Sequence, residues 1–210
     1  MSTIDASLAI KLKTYISSIP DFEYVEPRRC PYYAHIGALL TDIILQAGLN
    51  YNSIVFPRVQ SLLKRFPDVI SLEKFITIIE TCGLEDVLNW KNKEKLDRMD
   101  SMIQFLLSKK IDTVNDLIVF ISQDDNIKQF KTIKGIGNKT CDYLLRLLGF
   151  DVVAVDRHIR SFVKEASIES DDYHDIQLLV SYTADMMKIS RRCLDYSIWH
   201  YKNRTHSDAR

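Results

Sequence analysis

Apolar residues recur at three- and four-residue spacing along almost the whole chain, and this pattern confines the fold to helices. Leu8, Leu12, Tyr15 and Ile19 fall on one face of a segment over 5–18. Ile36, Leu39, Leu40, Ile43, Ile44 and Ala47 mark a second over 34–47, interrupted by the turn GLNYN at 48–52. Val55, Val59, Leu62 and Leu63 resume the pattern over 53–65 until FPD stops it. Ser71 is placed to cap a helix carrying Leu72, Phe75, Ile76 and Ile79, with Gly83 at its end. Segments over 92–108, 138–148, 156–166, 173–187 and 190–201 follow. Thr113 and Asp116 stand at capping-box spacing before Val114, Leu117, Ile118 and Ile121, although Glu or Gln is the usual partner. Only FDVVAV, 150–155, has extended character, and six residues also suit a loop. The tail NRTHSDAR is polar and reads as frayed.

With 210 residues, 46% of them hydrophobic, the chain has material for one or two cored domains. No stretch reaches the length of a membrane span, and the N-terminus shows no export leader. The expectation is an intracellular monomer with no membrane partner. Cysteines at 30, 82, 141 and 193 are more than fifty residues apart, which argues against a local zinc or iron–sulfur site and for buried free thiols. No metal and no cofactor is expected. Formal net charge is zero, yet residues 128–165 hold eight Lys/Arg against four Asp/Glu. A net +4 on that segment suits phosphate contacts, as ordinary charge fluctuation also would produce.

Chemistry concentrates in TIKGIGNKTCDYLLRLLGFDVVAVDRHIRSF, residues 132–162. Gly135, Ile136 and Gly137 make a tight turn between helical segments, in which the glycines free the backbone and Ile136 plugs the hairpin core. Exposed N–H groups at the next helix start suit a phosphate; a plain helix–turn–helix connection is the simpler reading. Asn138 is placed to cap that helix. Lys139 falls in its first turn, where a cation is unfavourable, and a neutral amine is what a nucleophile requires. Seventeen residues on, Asp156 precedes another helix. Its plain role is an N-cap, and the same position leaves a carboxylate able to face a bound group. A lysine and a carboxylate together suit attack at a sugar anomeric carbon.

This segment resembles the helix–hairpin–helix DNA glycosylase superfamily, and is most similar to endonuclease III over roughly 34–165. GIGNKT resembles the hairpin with its catalytic lysine, at Lys139, and VDRHI the motif of the catalytic aspartate, at Asp156. LTDIILQAGLNYNS resembles the segment whose glutamine fills the space left by a flipped base, at Gln46. TCGLEDVLNWKNK resembles the loop that wedges the duplex, at Leu84. The resemblance implies an all-α, two-lobed fold. One lobe of six helices would cover 34–150, and the other would join 151–210 to residues 1–33, with the polar break at 149–151 between them. It further implies base excision repair of damaged double-stranded DNA by a glycosylase/AP lyase, through a lysine Schiff base and strand cleavage by β-elimination. Lys134, Gly135, Ile136, Gly137 and Asn138 would bind DNA with Gln46 and Leu84.

Two departures stand out. Ile133-Lys134-Gly135 replaces the Leu-Pro-Gly opening of many such hairpins, offering a phosphate contact in place of rigidity. Endonuclease III holds an iron–sulfur cluster on four closely spaced C-terminal cysteines, whereas Cys193 alone stands in that region. The reading is therefore a cluster-free branch acting on oxidised pyrimidine or oxidised guanine, with deaminated and alkylated bases behind them. Alternatives are a monofunctional glycosylase using activated water, a non-enzymatic hairpin module, and a purely structural helical protein. Bland roles compete at each site: Gln46 as a surface or capping residue, Leu84 as core or turn, His158 as a structural hydrogen-bonder, Arg157 and Arg160 as exposed charge. Tyr32, Tyr33, Tyr51, Trp90 and Trp199 offer stacking faces or core. His35 and His200 do not read as metal ligands.

Overall fold

The computed structural model describes residues 6–27 and 34–207, with side chains to 204. Cys30, Tyr32 and Tyr33 lie outside the described residues, as does the end of the tail. The described chain is all-α, with no strand and a single isolated bridge between Ser71 and Thr113. It divides into two units, 29–148 and 1–28 with 149–210.

The first unit contains eight helices: α2 (Ile36–Leu45), α3 (Phe56–Arg65), α4 (Leu72–Cys82), α5 (Leu84–Leu88), α6 (Lys93–Ser108), α7 (Val114–Ile121), α8 (Asp124–Phe130) and α9 (Asn138–Leu147). All ten residues of α2 are buried, so it forms the unit's centre. Gly37 lets the helices close up, because a Cβ there would sit 2.7 Å from the Phe75 ring of α4. The expected caps form. Ser71 Oγ accepts from Lys74 N–H at 3.2 Å, and Thr113 and Asp116 make a reciprocal capping box with Asp in the usual Glu position. The turn after α2 is longer than GLNYN: Tyr51–Val55 forms a π turn that runs directly into α3, started by Asn50 Oδ1 accepting from Ser53 N–H. α5 and α8 occupy stretches that the periodicity leaves as connections, because five and seven residues are too short to display it.

The second unit joins the two ends of the chain. It packs α1 (Ala6–Ser18) against α11 (Tyr173–Met187), with α10 (Arg157–Glu165) and α12 (Arg191–Ser207). Its core gathers Leu12 and Ile16 of α1 with Val153, Val155, Phe162, Leu179, Leu194 and Ile198. Phe162 lies at its centre, with the rings of Tyr15, Phe22 and Tyr201 at 5.3–5.9 Å. FDVVAV is a loop.

Candidate functional site

The hairpin lies between α8 and α9. Phe130, Ile133 and Ile136 are buried, and Ile136 N–H donates to Ile133 O at 2.9 Å, so the turn hangs on three apolar side chains. Gly135 has φ +85°, and a Cβ there would lie 2.7 Å from Arg98 Cζ of α6. Gly137 is the N-cap of α9, with φ −93°, and no side-chain oxygen closes the helix. The helix starts at 138, as the spacing suggests, but its N-cap is Gly137; this corrects the capping role expected of Asn138, which is left exposed as the first helical residue. Lys134, Gly135 and Gly137 are exposed and Lys139 is half-buried in the first turn. The start of α9 thus keeps its orphan N–H groups without a side-chain cap.

One turn beyond Lys139, Tyr143 ties α9 to α2. Its O–H donates to Asp42 Oδ1 at 2.7 Å, while Tyr51 O–H donates to Asp42 Oδ2 at 3.0 Å. Burial and the Asp42 charge push the Tyr143 phenol well above its usual range. Four residues after Asp42 comes Gln46, at the C-cap of α2 and buried, with its Nε2 lacking a hydrogen-bond partner. Lys95 of α6 is also buried and donates from Nζ to Ile44 O and Ala47 O, both at 2.7 Å.

Leu84 opens α5, half-buried, beside a depression lined by the charged residues Glu85, Asp86, Lys93, Asp97 and Asp100. Burial and neighbouring Asp97 raise the Asp100 carboxyl. Trp90 carries the Arg58 guanidinium 4.9 Å above its ring, and Trp199 stacks on Tyr196, so each has a partner within the protein.

Asp156 belongs to the other unit. It is the N-cap of α10, and its Oδ1 accepts from His158 N–H at 2.8 Å and Ile159 N–H at 3.0 Å. The loop before it is buried at Val153, Ala154 and Val155 and has no regular structure to satisfy its backbone. Side chains do so instead. Gln177 Nε2 donates to Val153 O at 2.9 Å, Ala154 N–H donates to Asp195 Oδ2 at 2.7 Å, and Val155 N–H donates to Tyr173 Oη at 3.2 Å. None of Asp42, Lys95 and Asp195 stands out in the sequence, where each sits at an ordinary position of an amphipathic segment.

His35 caps α2: Nδ1 accepts from Ala38 N–H at 3.0 Å and Nε2–H donates to Phe66 O at 2.7 Å. Burial lowers its pKa, as suits a neutral ring with that tautomer. His158 is buried behind Asp156, and Arg160 donates to Asp171 O, a structural use of that charge. Cys141 and Cys193 are buried free thiols and Cys82 is half-buried. Among the described residues no group of three or more His, Cys, Asp or Glu is arranged to hold a metal ion. No described helix is long and apolar enough to cross a membrane.

A family profile described as a domain of unknown function, DUF8548, matches residues 32–203, and the chain belongs to that family. No curated protein and no solved structure matches it.

Proposed function

We propose that this chain is a DNA glycosylase with an associated lyase activity, acting on a damaged base in duplex DNA. The observation that carries the reading is the glycine hairpin that leads, with no side-chain cap, into a helix bearing Lys139 in its first turn. Free N–H groups, Lys134 and the glycines suit a phosphate. The lysine beside them suits attack on the sugar attached to it.

In this reading the nucleotide is turned out of the stack, and Gln46 and Leu84 occupy the space it leaves. The Lys139 Nζ lone pair bonds to C1′ as the C1′–N bond to the base breaks. The departing base takes the electron pair of the broken C1′–N bond and a proton, which the attacking nitrogen gives up as it becomes bonded to C1′. Asp156 opposes the positive charge that develops on the sugar. Ring opening converts the adduct to an imine, and loss of a C2′ proton then expels the 3′ phosphate and cuts the strand.

A panel of duplexes, each with one oxidised, deaminated or alkylated base, tests the reading, with borohydride added during reaction. Wild-type protein should release one class of base and be trapped on the DNA. Lys139→Gln should abolish the trapped species. Asp156→Asn should keep DNA binding and slow base release about a hundredfold or more. Base release without a trapped adduct indicates a monofunctional enzyme using water. DNA binding without release from any lesion indicates a hairpin binding module and overturns the enzymatic reading.

A further inference from the structure

We propose that Lys95 is a positioning residue that fastens the last turn of α2, and with it Gln46, to α6 beside Lys139, through a clamp of two hydrogen bonds from its ammonium. The part of this that concerns DNA rests on the glycosylase reading; the clamp itself does not.

The last carbonyls of a helix have no partners within it, and a cation nearby satisfies both their hydrogen bonds and the helix dipole. Lys95 supplies that cation from another helix. Its two acceptors, Ile44 O and Ala47 O, flank Gln46 in sequence, so one ammonium brackets the residue whose own side-chain N–H group is buried without a partner. The bonds span 51 and 48 residues, which makes Lys95 the polar tie between the end of α2 and the start of α6. One turn further along α6, the Arg98 side chain lies against Gly135 of the hairpin. A single face of α6 therefore touches the Gln46 turn and the hairpin at once.

The surroundings of Lys95 are electropositive. Arg98 comes from its own helix and Lys139 from α9; Glu94 opposes them and is itself paired to Arg98. α2 presents its carbonyl dipoles. Burial pushes the Lys95 ammonium down to about 8, Arg98 and Lys139 act in the same direction, and Glu94 opposes. The native state therefore gives up this proton while an unfolded chain, with lysine near 10.4, still holds it. Between those values the group makes stability rise with pH. Losing the charge above pH 8 is then a local change in the clamp and not an unfolding. A neutral amine keeps two N–H donors but loses the charge assistance that makes such bonds strong.

The test uses the full chain. In DNA-free protein, NMR follows Lys95 Nζ and the backbone amides of Gln46, Ala47 and Gly48 from pH 6.5 to 9.5. Wild type should show these amides moving together with Lys95, with a midpoint near 8. Lys95→Arg, which stays charged, should hold them near their low-pH positions throughout, and Lys95→Met should displace them at every pH. If Lys95→Met fails to fold, the arginine variant still decides. An unmoved wild type, or the same response in Lys95→Arg, overturns the proposal. On duplex with an abasic-site analogue, wild-type affinity should fall about tenfold more than that of Lys95→Arg between pH 7 and 9. Both proteins carry the same Lys139, so the difference isolates Lys95, and equal pH profiles overturn the positioning role. If wild type shows no preference for the abasic duplex at any pH, the glycosylase reading fails, while the DNA-free titration still decides the clamp.

Discussion

The turn at 131–137 and the loop at 150–155 each lead into a helix start that carries a polar group, Lys139 after one and Asp156 at the end of the other. They are held by opposite means. The turn is set by its own residues: Gly135 takes a positive φ, and Ile133 and Ile136 anchor it from within. The loop contains no glycine between 150 and 155 and cannot fold on local terms. Its shape is imposed by Gln177, Tyr173 and Asp195, from helices that follow it in the chain. A locally determined turn tolerates change in its neighbours; an imposed loop fails when a distant side chain is removed.

The largest expected effect follows from breaking the imposed loop. Asp195→Ala leaves the buried Ala154 N–H without an acceptor and should cost about 3 kcal/mol in urea unfolding of its unit. A loss below about 0.5 kcal/mol would mean that the loop holds itself, and the contrast drawn above would collapse. Gly135→Ala should cost less, about 1–2 kcal/mol, from the positive φ and from displacing Arg98. The loss should be confined to the unit of residues 29–148. Gly137→Ala sharpens the comparison at its small end. Its φ is −93° and nothing lies within 4 Å of the added methyl, so the expected change is about 0.5 kcal/mol. Equal costs at the two glycines would show that positive φ does not set this turn.

That contrast also explains what was legible in the sequence. Helices longer than about eight residues announced themselves through spacing, and Ser71, Thr113 with Asp116, Gly83 and Asp156 marked ends through local hydrogen bonds. α5 and α8 did not, being only five and seven residues long. Asn138 misled because an Asn near a helix start suits a cap, and the backbone turned in at Gly137 instead. At the candidate site, the glycines and Lys139 were readable because their roles lie within one segment. Asp42, Lys95 and Asp195 were not, since each acts on a partner 41 to 101 residues away. Lys95 in particular lies in KNKEKLDR, which reads as a solvated helix start. Only the packing of α6 on α2 turns it inward.

The unit that carries Asp156 is made from both ends of the chain, and this bears on its birth at the ribosome. Everything needed for the unit of residues 29–148 has been translated once Leu148 has emerged, so that part can fold early. α1 cannot join it. Its apolar face of Ala9, Leu12 and Ile16 has its partner in α11, which begins only at Tyr173. At ordinary translation speeds α1 waits roughly 10–30 s with that face uncovered. During that interval a nascent-chain chaperone has a short amphipathic target, and a truncation anywhere before α11 would leave it permanently exposed.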